Sequence, residues 1–343
     1  MSAVLNIFCE TDFLESFFDQ VPATSLEELS GNRTYGIHSD WDNAWLFIAN
    51  NRLYLDKSVD VWAKEILEKK GELDQFDWAM LNVVLSQQPI IYSEEVLLNT
   101  SPSAKELNAC YLLGEGRDIL KQRLESWGVL LYTSASFVNG VSQLSRIASL
   151  EFNVKQNENY SWFGIREKLL PELSCNSMII VDPYIANNSK YNLPELFQAI
   201  LPSSLPKHFE LTIITSNALD YSEKLEDDIR KGHWIPDSMN LQVVILDYKT
   251  HFSEDEAGQS EKRFHDRSIM TNYYKIDCGK GFSLKKKNKK TQKIFSDGTT
   301  KLSNRYIFTS EERNGFFINL EIMNQLIGIG KQIQSRLLSY IEE

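Results

Sequence analysis

The sequence predicts an α/β protein built from two domains. Short apolar runs of strand length alternate with segments in which apolar residues recur at helical spacing, as is typical of layered α/β folds. The chain has 343 residues, which is too long for one ordinary domain. The polar segment 152–162 has the composition of a linker, so we place the boundary near residue 150 and expect domains at 1–150 and 151–343.

Domain 1 is predicted to begin with a strand at 4–8 that leads into a short helix. The apolar runs 45–49 and 52–56 flank Asn50 and Asn51, an arrangement that predicts a tight β-hairpin. Further along, the pattern predicts helices at 59–71, 74–87, 101–116 and 117–128 and a strand at 128–134.

Domain 2 shows a clearer alternation of strands and helices. The predicted strands are 177–185, 211–216, 241–247 and 263–271, and the predicted helices are 164–174, 193–201, 221–232 and 320–339. Because helical patterns separate the first three strands, we expect these strands to be parallel neighbours in a parallel or mixed sheet with helices on both faces.

The composition indicates a folded, acidic, cytoplasmic protein. Hydrophobic residues make up 42% of the chain, and the formal net charge is −11, so polyanions would need a local basic patch. The four cysteines are scattered singly, which predicts neither a disulfide framework nor a zinc site and favours a reducing compartment. No secretory signal and no membrane-spanning apolar run is recognisable.

A candidate phosphate site lies in the stretch FHDRSIMTNYYKIDCGKGFSL, residues 264–284. In a strand, residues two apart point to the same face, so His265 and Arg267 are expected side by side. Asn272 follows five residues after Arg267. An imidazole next to a guanidinium is suited to binding a phosphate ester.

This stretch resembles the phospholipase D superfamily, whose motif is His-x-Lys followed by Asp. Here the three places are held by His265, Arg267 and Asn272. The closer resemblance is to the phospholipase D-like C-terminal domain of microtubule-interacting and transport (MIT) proteins, and it extends over residues 160–343 at most. The matching features are His265, Asp266, Arg267, Ile269, Ile276 and the turn 279–282.

The resemblance implies roles for these residues. His265 would be the nucleophile or a hydrogen-bond partner of the phosphate, Arg267 the oxyanion clamp and Asn272 the orienting group, with no metal cofactor. No other histidine is followed at offset 2 by a basic residue, so two motifs cannot meet within one chain, and catalysis would need a homodimer or another acid. Phosphate binding without turnover stays open, as does a cluster without chemistry in which the motif pairs with Asp182 or Asp247.

A lysine run downstream could extend this site. It comprises Lys280, Lys285, Lys286, Lys287, Lys289 and Lys290. Nucleic-acid backbones and anionic head groups are the physical targets of such a patch. The alternative is a solvated hairpin tip that protects an edge strand from aggregation.

Acidic residues near strand ends in domain 1 form a second candidate site. Glu10 and Asp12 follow the first strand, Asp56 ends another strand, and Asp118 precedes the predicted strand 128–134. Carboxylates that converge at the carboxyl ends of parallel strands hold Mg²⁺ or Mn²⁺ in metal-dependent nucleases. The order of these features resembles a PIN-type ribonuclease domain. Ordinary helix caps are the alternative explanation.

The sequence therefore favours a phosphodiester-engaging protein, either a nuclease or a nucleic-acid-binding effector. The resemblance to bacterial proteins that join such domains to nuclease-like modules suggests antiviral defence, together with a partner protein of the same system. The competing hypothesis is a non-catalytic adaptor that binds an anionic membrane or a protein partner.

Overall fold

The computed structural model shows an α/β fold in two compact units, unit 1 at Met1–Leu144 and unit 2 at Ser145–Glu343. The predicted α/β class is therefore confirmed. The residues that the structure describes are 5–22, 39–147, 151–153, 160–169, 174–217, 222–246, 267–278, 282, 284–287, 294–296, 301–306 and 337.

Unit 1 alternates strands with helices. Its strands are β1 (Asn6–Cys9), β2 (Arg52–Leu55), β3 (Ile90–Ile91), β4 (Cys110–Leu113) and β5 (Leu130–Thr133). Its helices are α1 (Thr11–Phe18), α2 (Asp40–Ala49), α3 (Val59–Lys70), α4 (Gln75–Leu85), α5 (Glu94–Asn99), α6 (Ala104–Leu107), α7 (Asp118–Trp127) and α8 (Ser134–Ile147).

The five strands that the structure describes in unit 1 form a parallel sheet in the order β3-β2-β1-β4-β5. All four residues of β1 and of β4 are buried, so both faces of the sheet are covered. The chain adds β2 and β3 on one side of β1 and then β4 and β5 on the other. The strand order thus reverses between β1 and β4, where open α/β sheets bind ligands beyond the carboxyl ends of their strands.

Aromatic side chains fill the core of unit 1. Phe8 stacks on Tyr54 and on Tyr111, with ring centroids 4.8 and 5.0 Å apart. A second aromatic group lies around α1, where Phe17 stacks on Trp41 at 4.7 Å and meets Phe137 at 5.9 Å. These contacts hold β1 and α1 firmly on either side of the strand-to-helix junction.

The predicted β-hairpin at 45–56 is wrong. Residues 40–49 form α2, which starts at Ser39 with a capping box closed by Asp42, and only 52–55 form a strand. Asn51 does not turn a hairpin. Its side chain accepts from the Leu5 N–H at 3.1 Å and donates to the Phe47 carbonyl, and so ties α2 to the start of β1.

The predicted helix at 101–116 is also wrong over most of its length. Only Ala104–Leu107 is helical, and Cys110–Leu113 is the buried strand β4. A strand covered on both faces has no polar alternation, so its continuous apolar run resembles that of a buried helix. The misassignment hid the strand that completes the reversal point of the sheet.

Unit 2 contains a larger, mixed sheet. Its strands are β6 (Glu151–Asn153), β7 (Ser177–Val181), β8 (Glu210–Ser216), β9 (Asn240–Leu246), β10 (Arg267–Thr271), β11 (Tyr274–Cys278), β12 (Lys285–Lys287), β13 (Ile294–Ser296) and β14 (Lys301–Tyr306). Among its described residues, the helices are α9 (Trp162–Leu169), α10 (Ser189–Ile200) and α11 (Leu225–Lys231), with short 3₁₀ turns at Ile185–Asn188 and Ser222–Lys224.

Seven of these strands form one sheet in the order β6-β14-β11-β10-β7-β8-β9. Strands β7, β8 and β9 are parallel neighbours, as the spacing of their apolar runs predicts, whereas β10, β11, β14 and β6 pair antiparallel. Strands β12 and β13 form a separate antiparallel pair. The predicted helix 320–339 lies outside the described residues except for Leu337, and no described helix is long and apolar enough to cross a bilayer.

Candidate functional site

The candidate phosphate site belongs to the edge of unit 2 at which β7 and β8 end, called here the carboxyl edge of unit 2. Strand β10 runs antiparallel to β7, and Ser268 is paired with Val181, the last residue of β7. Arg267, the first residue of β10, is therefore placed at this edge. This is the side of a parallel sheet on which ligands bind in α/β proteins.

Asp182 follows β7 directly, and several hydrogen bonds hold its side chain in place at this edge. Its side chain is 2% exposed, and Oδ1 accepts from the Tyr184 N–H at 2.8 Å and from Arg267 Nε at 3.2 Å. The backbone N–H of Phe282 also donates to Asp182. Asp182 thus joins the end of β7, the start of β10 and the backbone of Phe282.

Burial raises the pKa of the Asp182 carboxyl, and the hydrogen bonds from the Tyr184 and Phe282 N–H groups and the charge of Arg267 act against that shift. The carboxyl is held by donors on several sides, which limits its freedom to act as a general acid. Its main effect is to anchor the guanidinium next to it.

Arg267 remains partly accessible despite this ion pair. Its side chain is 18% exposed, and its guanidinium carbon lies 5.5 Å from the centroid of the Tyr184 ring. The donor that reaches Asp182 is Nε. The contact with Asp182 helps to orient the guanidinium, whose planar fork is suited both to phosphate recognition and to packing on an aromatic ring.

Asn272 lies at the other end of β10 from Arg267. The two residues are separated by the length of that strand, about 16 Å at the usual rise per residue. Asn272 is fully buried, and its Oδ1 accepts from the N–H groups of Asn176 and Ser177 at 3.0 and 2.9 Å. Its amide thus ties the β10–β11 turn to the start of β7, and the structure does not bring it to Arg267 as an orienting group.

The other residues expected at this site are described only in part. His265 and Asp266 lie outside the described residues, as do Lys280, Lys289, Lys290 and Asp247. Residues 285–287 form β12, which pairs antiparallel with β13, so Lys285, Lys286 and Lys287 lie in one strand of this two-stranded sheet. Phe282 reaches the edge itself, and its carbonyl accepts from Trp162 Nε1 at 3.0 Å.

The contact between Arg267 and Asp182 is the one expected if the motif forms a cluster without chemistry. It does not exclude phosphate binding, because the Arg267 side chain is not fully buried. It does mean that an incoming phosphate would share Arg267 with a carboxylate.

The acidic residues of unit 1 lie around the carboxyl edge of its own sheet, where β1, β2 and β4 end. Glu10 follows β1 and its side chain is 3% exposed. Its Oε2 accepts from the Gly114 N–H at 2.7 Å and its Oε1 accepts from Arg117 Nε at 2.6 Å. The same guanidinium donates through Nη2 to Glu94. Arg117 therefore bridges two carboxylates at the point where the strand order reverses.

Burial raises the pKa of the Glu10 carboxyl, while the hydrogen bonds from Arg117 and from the Gly114 N–H oppose the rise. Asp56 raises the pKa further through its negative charge. The two carboxylates are thus close enough to interact, as their positions after neighbouring parallel strands imply.

The other acidic residues expected here have separate contacts. Asp56 caps α1, because its Oδ1 accepts from the Thr11 N–H at 2.9 Å, and Lys57 lies 3.8 Å from its other oxygen. Asp12 is exposed in the first turn of α1, and Asp118 is exposed in the first turn of α7. These are the capping and helix-dipole positions of the alternative explanation.

Within the described residues, which include all four carboxylates expected to bind metal, no three His, Cys, Asp or Glu side chains form a group that could hold a metal ion. The donor set that the PIN-type resemblance implies therefore does not fit Mg²⁺ or Mn²⁺ here. The oxygens of Glu10 that a metal would need are used by Gly114 and Arg117.

Sequence reasoning missed Arg117 and Gly114, which complete this edge. A Cβ on Gly114 would lie 3.0 Å from the Asp12 Cβ and 3.3 Å from Glu10 Oε2, so only glycine leaves room for the carboxylate. The available signal was the segment Gly114–Arg117 directly after an apolar run. It was hidden because that run was interpreted as a helix.

No family model and no curated protein matches the chain. Among solved structures, the chain is similar to the crystal structure of an engineered D-amino acid dehydrogenase bound to NADP⁺, with 10% sequence identity and a TM-score of 0.15 over 98% of this chain and 96% of that chain. At so low a TM-score, the similarity carries no argument about fold or function.

Proposed function

We propose that this protein engages phosphodiesters and that nucleic acid is its ligand, bound at the carboxyl edge of unit 2. The observation that supports this is Arg267, whose partly exposed guanidinium is oriented by Asp182 next to the ring of Tyr184. A guanidinium can donate to two phosphate oxygens at once, and an aromatic ring beside it offers a stacking surface for a base.

In this proposal unit 2 is a phospholipase D-like domain, closest to the C-terminal domain of MIT proteins. His265 is then the phosphate partner or nucleophile, and the lysines from Lys280 to Lys290 follow the nucleic-acid backbone. Cleavage would require a homodimer that brings two His265 side chains together. A role in bacterial antiviral defence, with a partner protein of the same system, belongs to the same proposal.

A second candidate function is a non-catalytic adaptor that binds an anionic membrane or a protein partner. Two observations favour it over catalysis. The charge of Arg267 is already paired with that of Asp182, and Asn272 is used by backbone N–H groups far from Arg267. Both features suit a domain that binds without turnover.

Binding is tested by fluorescence anisotropy with labelled single-stranded RNA, single-stranded DNA and vesicles containing phosphoinositide. Arg267→Gln is expected to weaken nucleic-acid binding about tenfold or more, while Arg267→Lys, which keeps the charge, is expected to lose less. Arg230→Gln is the matched control, because Arg230 is an arginine of unit 2 that pairs with Glu226 along one helix. Unchanged binding by Arg267→Gln would contradict the proposal, and binding only to vesicles would favour the adaptor.

Turnover is tested by incubating the same nucleic acids with and without EDTA. Cleavage that survives EDTA and is lost in His265→Ala supports the phospholipase D-like route. Cleavage that needs metal and tolerates His265→Ala assigns the activity to unit 1. Salt-sensitive binding without cleavage, lost when Lys285, Lys286 and Lys287 become glutamine, supports binding without turnover.

A further inference from the structure

The carboxyl edge of unit 1 has the position of an α/β active site but a different chemistry from the one its acidic residues suggest. Its central carboxylate, Glu10, is buried at the reversal point of the sheet. The group that faces it is a cation of the chain itself, since Arg117 contacts both Glu10 and Glu94.

We infer that Arg117 is the resident cation of this edge and that it takes the place of a divalent metal. Its guanidinium donates to the carboxylate oxygens of Glu10 and Glu94 that would otherwise be available as metal ligands. The inference goes beyond the function proposed for unit 2 and does not depend on it. It assigns unit 1 a metal-independent role despite its resemblance to a metal-dependent nuclease.

The charges at the edge explain why the arginine remains there. Arginine does not lose its proton in proteins, so Arg117 presents a full positive charge at every ordinary pH. A buried carboxylate without a partner is strongly unfavourable, and the side chain of Glu10 is only 3% exposed. A metal ion could reach Glu10 only by displacing a permanent cation and breaking its contacts with two carboxylates.

The Gly114 N–H fixes the other half of the carboxylate. It donates to Glu10 Oε2 at 2.7 Å, so the two oxygens of Glu10 have separate protein donors. Removal of Arg117 would leave one of these oxygens without its donor, next to Glu94 and close to Asp56. The freed oxygens of Glu10 and Glu94, completed by water ligands, are suited to Mn²⁺, which prefers oxygen ligands.

The experiment is a calorimetric titration of the full chain with MnCl₂. Wild type is expected to show no Mn²⁺ binding that depends on Glu10, so Glu10→Gln should leave its titration unchanged. Arg117→Ala is expected to gain affinity for Mn²⁺ by about tenfold or more, and the double variant Arg117→Ala/Glu10→Gln is expected to lose that gain. Thermal unfolding provides a second measurement, in which Mn²⁺ should raise the melting temperature of Arg117→Ala but not that of wild type.

The matched control is Arg123→Ala. Arg123 lies in α7, the helix that Arg117 precedes as its N-cap residue, and it donates to the backbone carbonyls of Leu97 and Thr100. Its replacement by alanine removes the same charge without freeing a carboxylate. This variant should gain no Mn²⁺ binding. If folded Arg117→Ala gained none either, or if wild type bound Mn²⁺ through Glu10, the inference would be overturned. The wild-type titration decides the question even if Arg117→Ala does not fold.

Discussion

Replacing Asn272 with alanine is expected to destabilise unit 2 strongly. The Asn272 side chain accepts hydrogen bonds from the N–H groups of Asn176 and Ser177 at 3.0 and 2.9 Å, and all three residues are fully buried. A backbone donor left without a partner in the interior costs about 1–3 kcal/mol, so two of them predict a loss of about 2–6 kcal/mol. A domain has a total free energy of unfolding of about 5–15 kcal/mol, so the variant should lose a large part of it.

The loss is measured by urea denaturation and by hydrogen exchange with mass spectrometry. Peptides that contain Asn176 and Ser177 should exchange faster in Asn272→Ala, and the urea midpoint of unit 2 should fall. Asn272→Asp keeps an acceptor oxygen and should retain most of the stability. The exposed Asn240 is the control site, where alanine should change stability by no more than about 0.5 kcal/mol. An Asn272→Ala protein with wild-type urea midpoint and exchange would refute the structural role of this amide.

Three further predictions concern the core, the pH dependence and the edge of unit 1. Phe137→Ala should lower the free energy of unfolding by about 3–5 kcal/mol in urea titrations, because the fully buried ring contacts several aromatic neighbours. The pKa of Asp182 is raised in the folded protein, so this carboxyl binds more protons in the native state than in the unfolded chain. Its contribution to the stability of unit 2 should therefore fall as pH rises above the ordinary aspartate pKa of about 4. Asp182→Asn should flatten this fall in denaturation series between pH 4 and 7, and an unchanged slope would contradict the assignment. Gly114→Ala should cost about 1–3 kcal/mol by thermal unfolding, since its Cβ would lie 3.0 Å from the Asp12 Cβ. The control is Gly164→Ala in α9, where the added Cβ would lie 3.6 Å from its nearest neighbour, Ser161 Oγ. This variant should be neutral or stabilising.

The elements that the sequence predicted correctly are those with strong local signals. Helix α3 has Ser58 as its N-cap and Gly71, in the left-handed conformation, as its C-cap. Serine and glycine are the residue types typical of these two positions, so both helix ends can be recognised from the local sequence. Strands β8 and β9 are apolar runs separated by a charged helix, which suffices to predict parallel pairing. In each case the physical cause acts within a few residues of the element.

The elements that failed depend on partners distant in the chain. Residues 45–49 are apolar enough for a strand, but Phe47 and Ile48 are buried on one side of a helix that packs against α1 and β2. The run in β4 is apolar throughout because two layers of helices cover it, and no local periodicity distinguishes that situation from a buried helix.

In the two candidate sites, too, some features could be predicted from the local sequence and others depend on residues distant in the chain. The sequence by itself predicted an α/β chain in two parts, with Arg267 within a strand of the second part and Glu10 directly after the first strand. Only the tertiary structure decided that Asp182 holds Arg267, that Asn272 serves the backbone and that Arg117 bridges Glu10 and Glu94. The physical reason is that the type of a residue sets which interactions it can form. Which ion-pair and hydrogen-bond partners it meets depends on the strand order of the sheet, because that order brings together residues far apart along the chain.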